Sequence, residues 1–345
     1  MIRSLEVSNF RCFKHLKIDA VSRLNVIVGD NGIGKTALLE SIFFPLSATT
    51  AMILRFRAQR GLPGNFAGTR RDIEDAIFGE IFHEFNYKVP VRLELTGDGP
   101  EHRSLLISRD VLREATAPGS ITVTYKDPDG NEHVYYPDVT DMKSGFPDIG
   151  EETPGFFFFP ANTTTNPLEI VGRFSELSRA RQQRNFVAVF ADEYPWLQDI
   201  SIEVSAGAPA LYGTLETVDN KVSLPNISGG INRMVGIMVT IGARPQSIVL
   251  VDEIENGVYY KHQPAIWKGL LKSLREHDGQ MIATTHSKEC LDALVNAAGD
   301  KVDDISLWRI ERGQDGPEVL QFSGDTLKAG IEHGVEVRSP DESDD

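Results

Sequence analysis

The sequence predicts an α/β fold with a mostly parallel core sheet, an antiparallel β portion at the N-terminus and an inserted α+β segment. In the second half, short apolar runs alternate with helical patterns, an order typical of parallel sheets. The first 18 residues instead alternate polar and apolar side chains, as antiparallel strands do. Between these parts the pattern changes. The predicted domains are 1–46 (first part of the core), 47–153 (insertion), 154–335 (second part of the core) and 336–345 (acidic tail).

The N-terminal elements predict a β-meander that leads into a helix. Residues 2–8 and 16–18 have strand patterns, and Phe10 and Phe13 flank Arg11 between them. A buried strand is predicted at 24–28 and a helix from 37 to 44, which Pro45 ends or kinks.

The insertion and the second half supply the remaining elements. Residues 72–85 are predicted as helical, followed by strands at 89–95, 104–108, 121–125 and 132–136. The later predictions are strands 156–159, 200–204, 210–217, 221–224, 247–251 and 280–285, and helices 174–191, 263–276 and one that begins near Gly229.

Composition restricts the class of protein. The 345 residues are 41% hydrophobic, which is enough for a sizeable core, and carry a net charge of −15, so nucleic acid could bind only through a local basic patch. No apolar run reaches the ~20 residues of a membrane span. Two distant cysteines, Cys12 and Cys290, and no signal-peptide core predict a cytoplasmic protein with reduced thiols and no membrane contact.

A glycine-rich loop between the strand at 24–28 and the next helix matches the G-x-x-x-x-G-K-[ST] pattern at every fixed position. Its glycines and the helix N-terminus would direct N–H groups at phosphate, and Lys35 would reach the β- and γ-phosphates. The Thr36 hydroxyl would bind Mg²⁺. The pattern predicts binding of ATP or GTP. The loop consists of Gly29, Asp30, Asn31, Gly32, Ile33, Gly34, Lys35 and Thr36.

An acidic pair, Asp252 and Glu253, ends the predicted strand at 247–251. Asp252 there could bind Mg²⁺ directly or through water, and Glu253 could polarise the attacking water as general base. The alternative is a buried strand that merely runs into an acidic loop.

A histidine, His286, ends the next buried strand, where it could hydrogen-bond a γ-phosphate. The alternative is a histidine that only caps the strand end.

The sequence Ser228-Gly229-Gly230 predicts a helix start with Ser228 as N-cap. Its bare N–H groups could face an anion, although an ordinary capped core helix has the same pattern. Residues 255–257 predict a tight loop, suited to a subunit interface or simply a turn. The apolar stripe of the helix comprises Ile231, Met234, Val235, Met238 and Ile241.

Together these residues resemble the ABC-class ATPase group that includes the SMC, RecF and OLD-like ATPases. The resemblance implies an ABC-type ATPase head and a head-to-tail homodimer with ATP and Mg²⁺ at the interface. Ser228 and Gly230 of one subunit would contact the γ-phosphate held by Lys35 of the other, and Arg11 would lie near the nucleotide, contacting phosphate or base. The matching elements are residues 5–13, 29–36, 228–230, 252–253 and 286, within 1–45 and 155–315.

The chain departs from that group in four respects. The segment Ser228-Gly229-Gly230, the signature segment of this group, lacks the longer Leu-Ser-Gly-Gly-Gln form. No clear glutamine loop is present, although Asn162 could take that place. No long heptad arm occurs, which argues against SMC itself. The chain also has little room for the C-terminal nuclease domain of OLD-like proteins.

These features favour an ATPase, slow or stimulated by a partner, whose ATP-dependent dimerisation controls an effector such as a nuclease or toxin in bacterial anti-phage defence or DNA maintenance. The alternatives are a transporter ATPase and an ATP-sensing scaffold that hydrolyses slowly. The insertion would dock a partner or DNA, and its arginines could equally pair with acidic residues of the protein. These arginines are Arg55, Arg57, Arg60, Arg70 and Arg71.

Overall fold

The computed structural model describes residues 1–47, 53–54, 56–57, 60–62, 66–99, 101–110, 120–137, 139, 155–161, 166–314 and 316–339. It divides into two compact units. The first comprises 1–156, 305–323 and 336–345, and the second comprises 157–304 and 324–335.

The first unit contains a six-stranded antiparallel sheet in the order β2-β1-β4-β5-β6-β7. β1 pairs with both β2 and β4, so strands from the predicted insertion extend the sheet that the N-terminus begins. Alternating burial along β4 explains this arrangement, because one face of the strand covers the core while the other faces solvent. The strands are β1 (Ile2–Phe10), β2 (Phe13–Ile18), β4 (Val91–Gly97), β5 (Arg103–Arg109), β6 (Ile121–Lys126) and β7 (Glu132–Tyr135).

A second group of strands in the first unit positions the glycine-rich loop. β3 (Leu24–Val28) is buried along its whole length and pairs in parallel with β14 (Ile305–Gly313). β15 (Gly316–Ser323) pairs with β14 in the antiparallel sense. Helix α1 (Lys35–Ser47) follows the loop with Pro45 inside it, and α2 (Arg70–Phe78) begins at a Thr69 capping box.

In the second unit, β13 (Gln280–Thr284), β12 (Ile248–Val251) and β8 (Phe156–Phe159) lie side by side in that order. Residues 157–159 of β8 belong to this unit, whereas Phe156 is the last residue of the segment in the first. β12 and β13 are parallel, as expected for buried strands joined through a helix. A separate antiparallel sheet comprises β9 (Leu197–Ser205), β10 (Ala208–Leu215) and β11 (Val222–Ser223).

The helices of the second unit cover these strands. The single helix predicted over 174–191 is wrong: two helices occur, separated at Arg181, whose φ of 60° breaks the helical path. The predicted N-cap and apolar stripe of the helix after Ser228 are confirmed, and all five stripe residues are buried. The helices are α3 (Pro167–Arg179), α4 (Gln183–Glu193), α5 (Leu224–Ile227), α6 (Gly229–Ala243), α7 (Gln263–Glu276), α8 (Lys288–Ala298) and α9 (Gly324–Glu332).

None of the helices in the described ranges is both long and apolar enough to cross a membrane.

Candidate functional site

The loop 29–36 lies in the first unit, between the buried end of β3 and the first turn of α1. Gly29, Gly32 and Gly34 have φ values of 139°, 77° and 118°, which L side chains rarely adopt. A Cβ on Gly29 would stand 2.6 Å from the carbonyl oxygen of Ile310, and one on Gly34 would stand 2.6 Å from Cys12 Sγ. The loop therefore requires glycine at both positions, for its conformation and for close packing.

Lys35 holds its ammonium group against this loop. Nζ donates to the carbonyl oxygens of Gly29 at 2.7 Å and Asp30 at 2.9 Å. A cation beside a helix N-terminus and backbone N–H groups in left-handed turns suits a phosphate chain. The residues present therefore fit a nucleoside triphosphate, and Thr36, in the first turn of α1, fits a Mg²⁺ ligand by the chemistry of its hydroxyl.

The turn that carries Arg11 also lies in the first unit. Arg11 has a φ of 50°, and its backbone N–H donates to Ile81 O at 2.8 Å. Its Nε lies 2.5 Å from Oε2 of Glu40, a carboxyl group on α1 that is 1% exposed. Burial lowers the pKa of Arg11, and the Glu40 charge opposes this effect. Arg11 is therefore held by a charge contact to the helix that follows the glycine-rich loop.

In the second unit, Asp252 and Glu253 follow β12, as the sequence predicts, and Thr284 at the end of β13 fixes both. The Thr284 hydroxyl donates to Asp252 Oδ1 at 2.7 Å and accepts from the Glu253 N–H at 2.7 Å. Asp252 is buried, and its own N–H donates to Phe159 O at 2.8 Å. The sequence analysis did not identify Thr284 as part of this arrangement, and the available signal was its place near the end of the buried strand that follows the acidic pair.

The side chain of Glu253 is oriented by a neighbour on the following loop. Asn256 Nδ2 donates to Glu253 Oε2 at 2.7 Å, and Glu253 itself has a φ of 50°. A carboxylate with one oxygen hydrogen-bonded keeps its second oxygen available to accept a proton from water. Positive φ at a non-glycine residue often accompanies functional sites.

The Ser-Gly-Gly segment packs against the loop 255–257 within the second unit. Ser228 Oγ accepts from the Ile231 N–H at 3.3 Å, which caps α6. A Cβ on Gly230 would stand 1.9 Å from the carbonyl oxygen of Gly257, so only glycine fits. Gly257 has a φ of 77°, and a Cβ on it would stand 2.9 Å from the α-carbon of Gly230. The helix start and the loop thus form one compact piece of surface.

Arg233, one turn into α6, takes part in this arrangement although the sequence analysis did not assign it a role. Its guanidinium donates to the carbonyl oxygens of Asp252 at 2.6 Å and Pro160 at 2.5 Å. Burial lowers the pKa of Arg233, while the nearby Asp252, Glu253 and Glu255 raise it. Arg233 therefore connects α6 to the end of β12 by hydrogen bonds, and it places a positive charge near three carboxyl groups.

His286 follows β13, as predicted, and its side chain is half exposed. Its backbone N–H donates to Glu255 Oε1 at 3.1 Å, and its Nδ1 lies 3.5 Å from the same oxygen. The structure thus brings His286 next to the loop 255–257.

The arginines of the inserted segment are mostly engaged with the chain itself. Arg55 lies outside the described residues, as does Asn162. Arg60 forms a bidentate pair with Glu40 at 2.9 Å for both contacts, and Arg70 contacts Glu74 at 3.3 Å. Arg57 donates to Ala76 O and lies over the Phe66 ring. For Arg60 and Arg70 these pairs match the intramolecular alternative. Arg71 is exposed on α2.

Comparison with known proteins identifies the family. Residues 1–304 match the family described as the RecF/RecN/SMC N terminal domain. The chain belongs to this family. The prediction of an SMC/RecF-like ABC-class ATPase is confirmed.

Individual relatives agree with this assignment. An ATP/GTP phosphatase of Helicobacter pylori (strain ATCC 700392 / 26695) is 20% identical over 339 residues, which cover 87% of this chain and 89% of that protein. The chromosome partition protein Smc of Methanocaldococcus jannaschii is 35% identical over 74 residues, which are 21% of this chain and 6% of that protein.

The fold is that of an SMC head. The crystal structure of an Smc head bound to the C-winged helix domain of ScpA aligns with a TM-score of 0.53 and 16% identity, covering 96% of this chain and 99% of that one. A second Smc head, bound to the C-terminal domain of ScpA and derived from Pyrococcus furiosus, gives a TM-score of 0.51 and 13% identity, with coverage of 96% and 98%. The predicted α/β ATPase-head fold is confirmed.

Proposed function

We propose that this protein binds and hydrolyses ATP, and that ATP binding joins two copies of it head to tail. The observation that carries the proposal is the fixed arrangement of the acidic pair. Thr284 bonds to both residues of that pair, and Asn256 holds one oxygen of Glu253. Membership of the RecF/RecN/SMC family supports the same reading, as does the similarity to an ATP/GTP phosphatase.

Each residue then has a chemical task. The N–H groups of the loop 29–36 and the Lys35 ammonium bind the β- and γ-phosphates. The Thr36 hydroxyl and the Asp252 carboxylate would hold Mg²⁺, and the ion would supply positive charge against the phosphate oxygens. Glu253 orients the attacking water and accepts its proton.

The signature segment serves the second copy. In this proposal Ser228, Gly229 and Gly230 present the start of α6 to the γ-phosphate bound at Lys35 of the other subunit. The first N–H groups of a helix lack intrahelical partners and favour an anion. The Ser228 hydroxyl already accepts from Ile231, which leaves the hydroxyl hydrogen available as a donor.

A partner protein is also part of the proposal. ATP-dependent dimerisation would control a separate effector, such as a nuclease or toxin, in anti-phage defence or DNA maintenance. Two similar Smc heads were solved with ScpA domains bound, which shows that those heads accept a protein partner. Retention of an effector by ATP-loaded protein in a pull-down would support this part.

The test of the function uses Glu253→Gln, with Glu276→Gln as matched control on the exposed surface of α7. We expect Glu253→Gln to lower kcat for ATP about 10²- to 10⁴-fold, because the general base is lost. Dimerisation in ATP and Mg²⁺, followed by analytical ultracentrifugation, should persist or strengthen because binding energy remains while cleavage is blocked. Turnover equal to that of Glu276→Gln would remove the general-base assignment, and a monomer in ATP would remove the dimer.

A further inference from the structure

Glu255 is a buried carboxyl group with no task in the cleavage step described above. Its side chain is 10% exposed. One oxygen, Oε2, is fully buried and has no hydrogen-bond partner among the described residues. Burying a carboxylate without full hydrogen bonding is costly, so a carboxyl group at such a place calls for a reason.

The other oxygen faces His286. Oε1 accepts the backbone N–H of His286 at 3.1 Å and lies 3.5 Å from Nδ1 of the same residue. A carboxylate on one ring nitrogen of a histidine fixes the tautomer and ring orientation, and leaves the second nitrogen to act elsewhere. Hydrogen bonds of this kind are often long in the free protein and shorten when substrate is bound.

Glu255 lies close to two other titratable groups. The Arg233 guanidinium is close enough for Glu255 to oppose the lowering of its pKa by burial. Glu255 also contributes, after burial itself, to raising the pKa of Cys290 to about 12. Glu255 is therefore near both the Arg233 guanidinium and the Cys290 thiol, and its Oε1 contacts His286.

The same loop touches the signature helix at its other end. Gly257, two residues after Glu255, packs on Gly230 so closely that a Cβ on either would stand within 3 Å of the other's backbone. A second copy of the protein that packs on the helix start at Gly230 would therefore contact or displace the loop that carries Glu255. Residues 255–257 thus connect the start of α6 at one end with His286 at the other.

We propose that Glu255 is a positioning residue that holds the His286 imidazole with Nδ1–H toward its carboxylate and Nε2 toward the nucleotide. It thereby links the signature helix, through the loop 255–257, to the histidine at the end of β13. The proposal rests on the proposed ATPase function, because only that function gives Nε2 a γ-phosphate to meet.

A spectroscopic test reads the tautomer without any turnover. In protein labelled with ¹⁵N at the histidine rings, the His286 signals are identified by their loss in His286→Asn. At about pH 8, where most imidazoles are neutral, we expect the hydrogen of His286 on Nδ1. Glu255→Ala should remove this bias, and Glu255→Gln, which keeps an acceptor oxygen of the same size, should retain part of it. An unchanged His286 tautomer in both variants would overturn the proposal.

A kinetic double-mutant cycle tests the consequence for catalysis. Glu255→Ala should lower kcat about 10- to 100-fold and change KM for ATP less than about twofold, as loss of a residue supporting a functional histidine does. In a His286→Ala background the same change should have almost no further effect. Independent, multiplying effects of the two substitutions would contradict the proposal, as would a change in KM alone.

Controls separate this proposal from the proposed function and from misfolding. Glu289→Ala removes another carboxyl group of the same segment, one that accepts a hydrogen bond from the Ser287 hydroxyl, and should leave kcat unchanged. The isosteric Glu255→Gln serves if Glu255→Ala unfolds. If Glu253→Gln hydrolyses ATP as fast as Glu276→Gln, the general-base part of the proposed function fails, whereas the tautomer measurement still decides whether Glu255 positions His286.

Discussion

Gly229 and Gly230 are neighbours in the sequence, yet the space around their α-carbons differs. A Cβ on Gly229 would meet nothing within 4 Å, whereas one on Gly230 would overlap the carbonyl oxygen of Gly257. That oxygen belongs to the backbone, so it cannot move without displacing the loop 255–257.

This contrast gives a prediction with a built-in control. Gly230→Ala should destabilise the fold by about 1–3 kcal/mol, the usual cost of overpacking. Gly229→Ala should be neutral or stabilise by up to about 1 kcal/mol, because alanine restricts the unfolded chain. Urea unfolding of the two variants measures both values. Equal midpoints would show that Gly230 and Gly257 are not in contact.

At the scale of elements, the buried Glu40 joins three parts of the first unit. It lies on α1, accepts both contacts of the bidentate Arg60 and faces Arg11 in the turn between β1 and β2. Arg60 is 37% exposed and Arg11 only 12%. The two arginines therefore depend on Glu40 to different degrees.

We expect Glu40→Ala to cost about 3–5 kcal/mol of stability, because it leaves the buried Arg11 without its counter-charge. Arg60→Ala should cost about 1 kcal/mol or less, since a partly exposed pair is screened by water and Glu40 keeps Arg11. Chemical denaturation of both variants tests this order. A larger effect of Arg60→Ala would show that the segment around Arg60, rather than Arg11, is what Glu40 supports.

Sequence patterns predicted the elements and motifs whose signals are local. The glycine-rich loop, the acidic pair and the capped helix at Ser228 each occupy consecutive residues, so composition and spacing identify them. The pairing of Glu40 with Arg60 and the contact of Glu255 with His286 join residues that are distant in sequence. The periodicity of a sequence carries no information about contacts between such distant residues. The helix break at Arg181 could not be predicted either, because no glycine or proline stands at that position.

At the scale of the whole molecule, the net charge of −15 affects association. Two copies that approach each other carry like charge, and this repulsion acts over a Debye length of about 10 Å at 0.1 M salt. DNA binding through arginines would instead weaken as salt is added, because the release of counterions from DNA then contributes less free energy.

The dimer of Glu253→Gln in ATP should therefore tighten as the salt concentration rises from about 50 to 300 mM, by a few-fold in Kd. Sedimentation velocity at several salt concentrations measures this, with nucleotide affinity followed separately by fluorescence titration. Weaker association at higher salt, with ATP binding unchanged, would indicate that complementary charges rather than the signature surface dominate the contact.

Glu253 occupies a backbone conformation, φ 50°, that suits glycine or asparagine better than glutamate. Such strain costs about 1 kcal/mol and persists only where surrounding bonds enforce it, as those of Thr284 and Asn256 do here. Stability alone would select a different residue at this position. With the general-base role proposed above for Glu253, the chain accepts a trade-off between stability and activity at a single residue, and a search for more stable variants would be expected to replace this glutamate early and to lose the proposed activity with it.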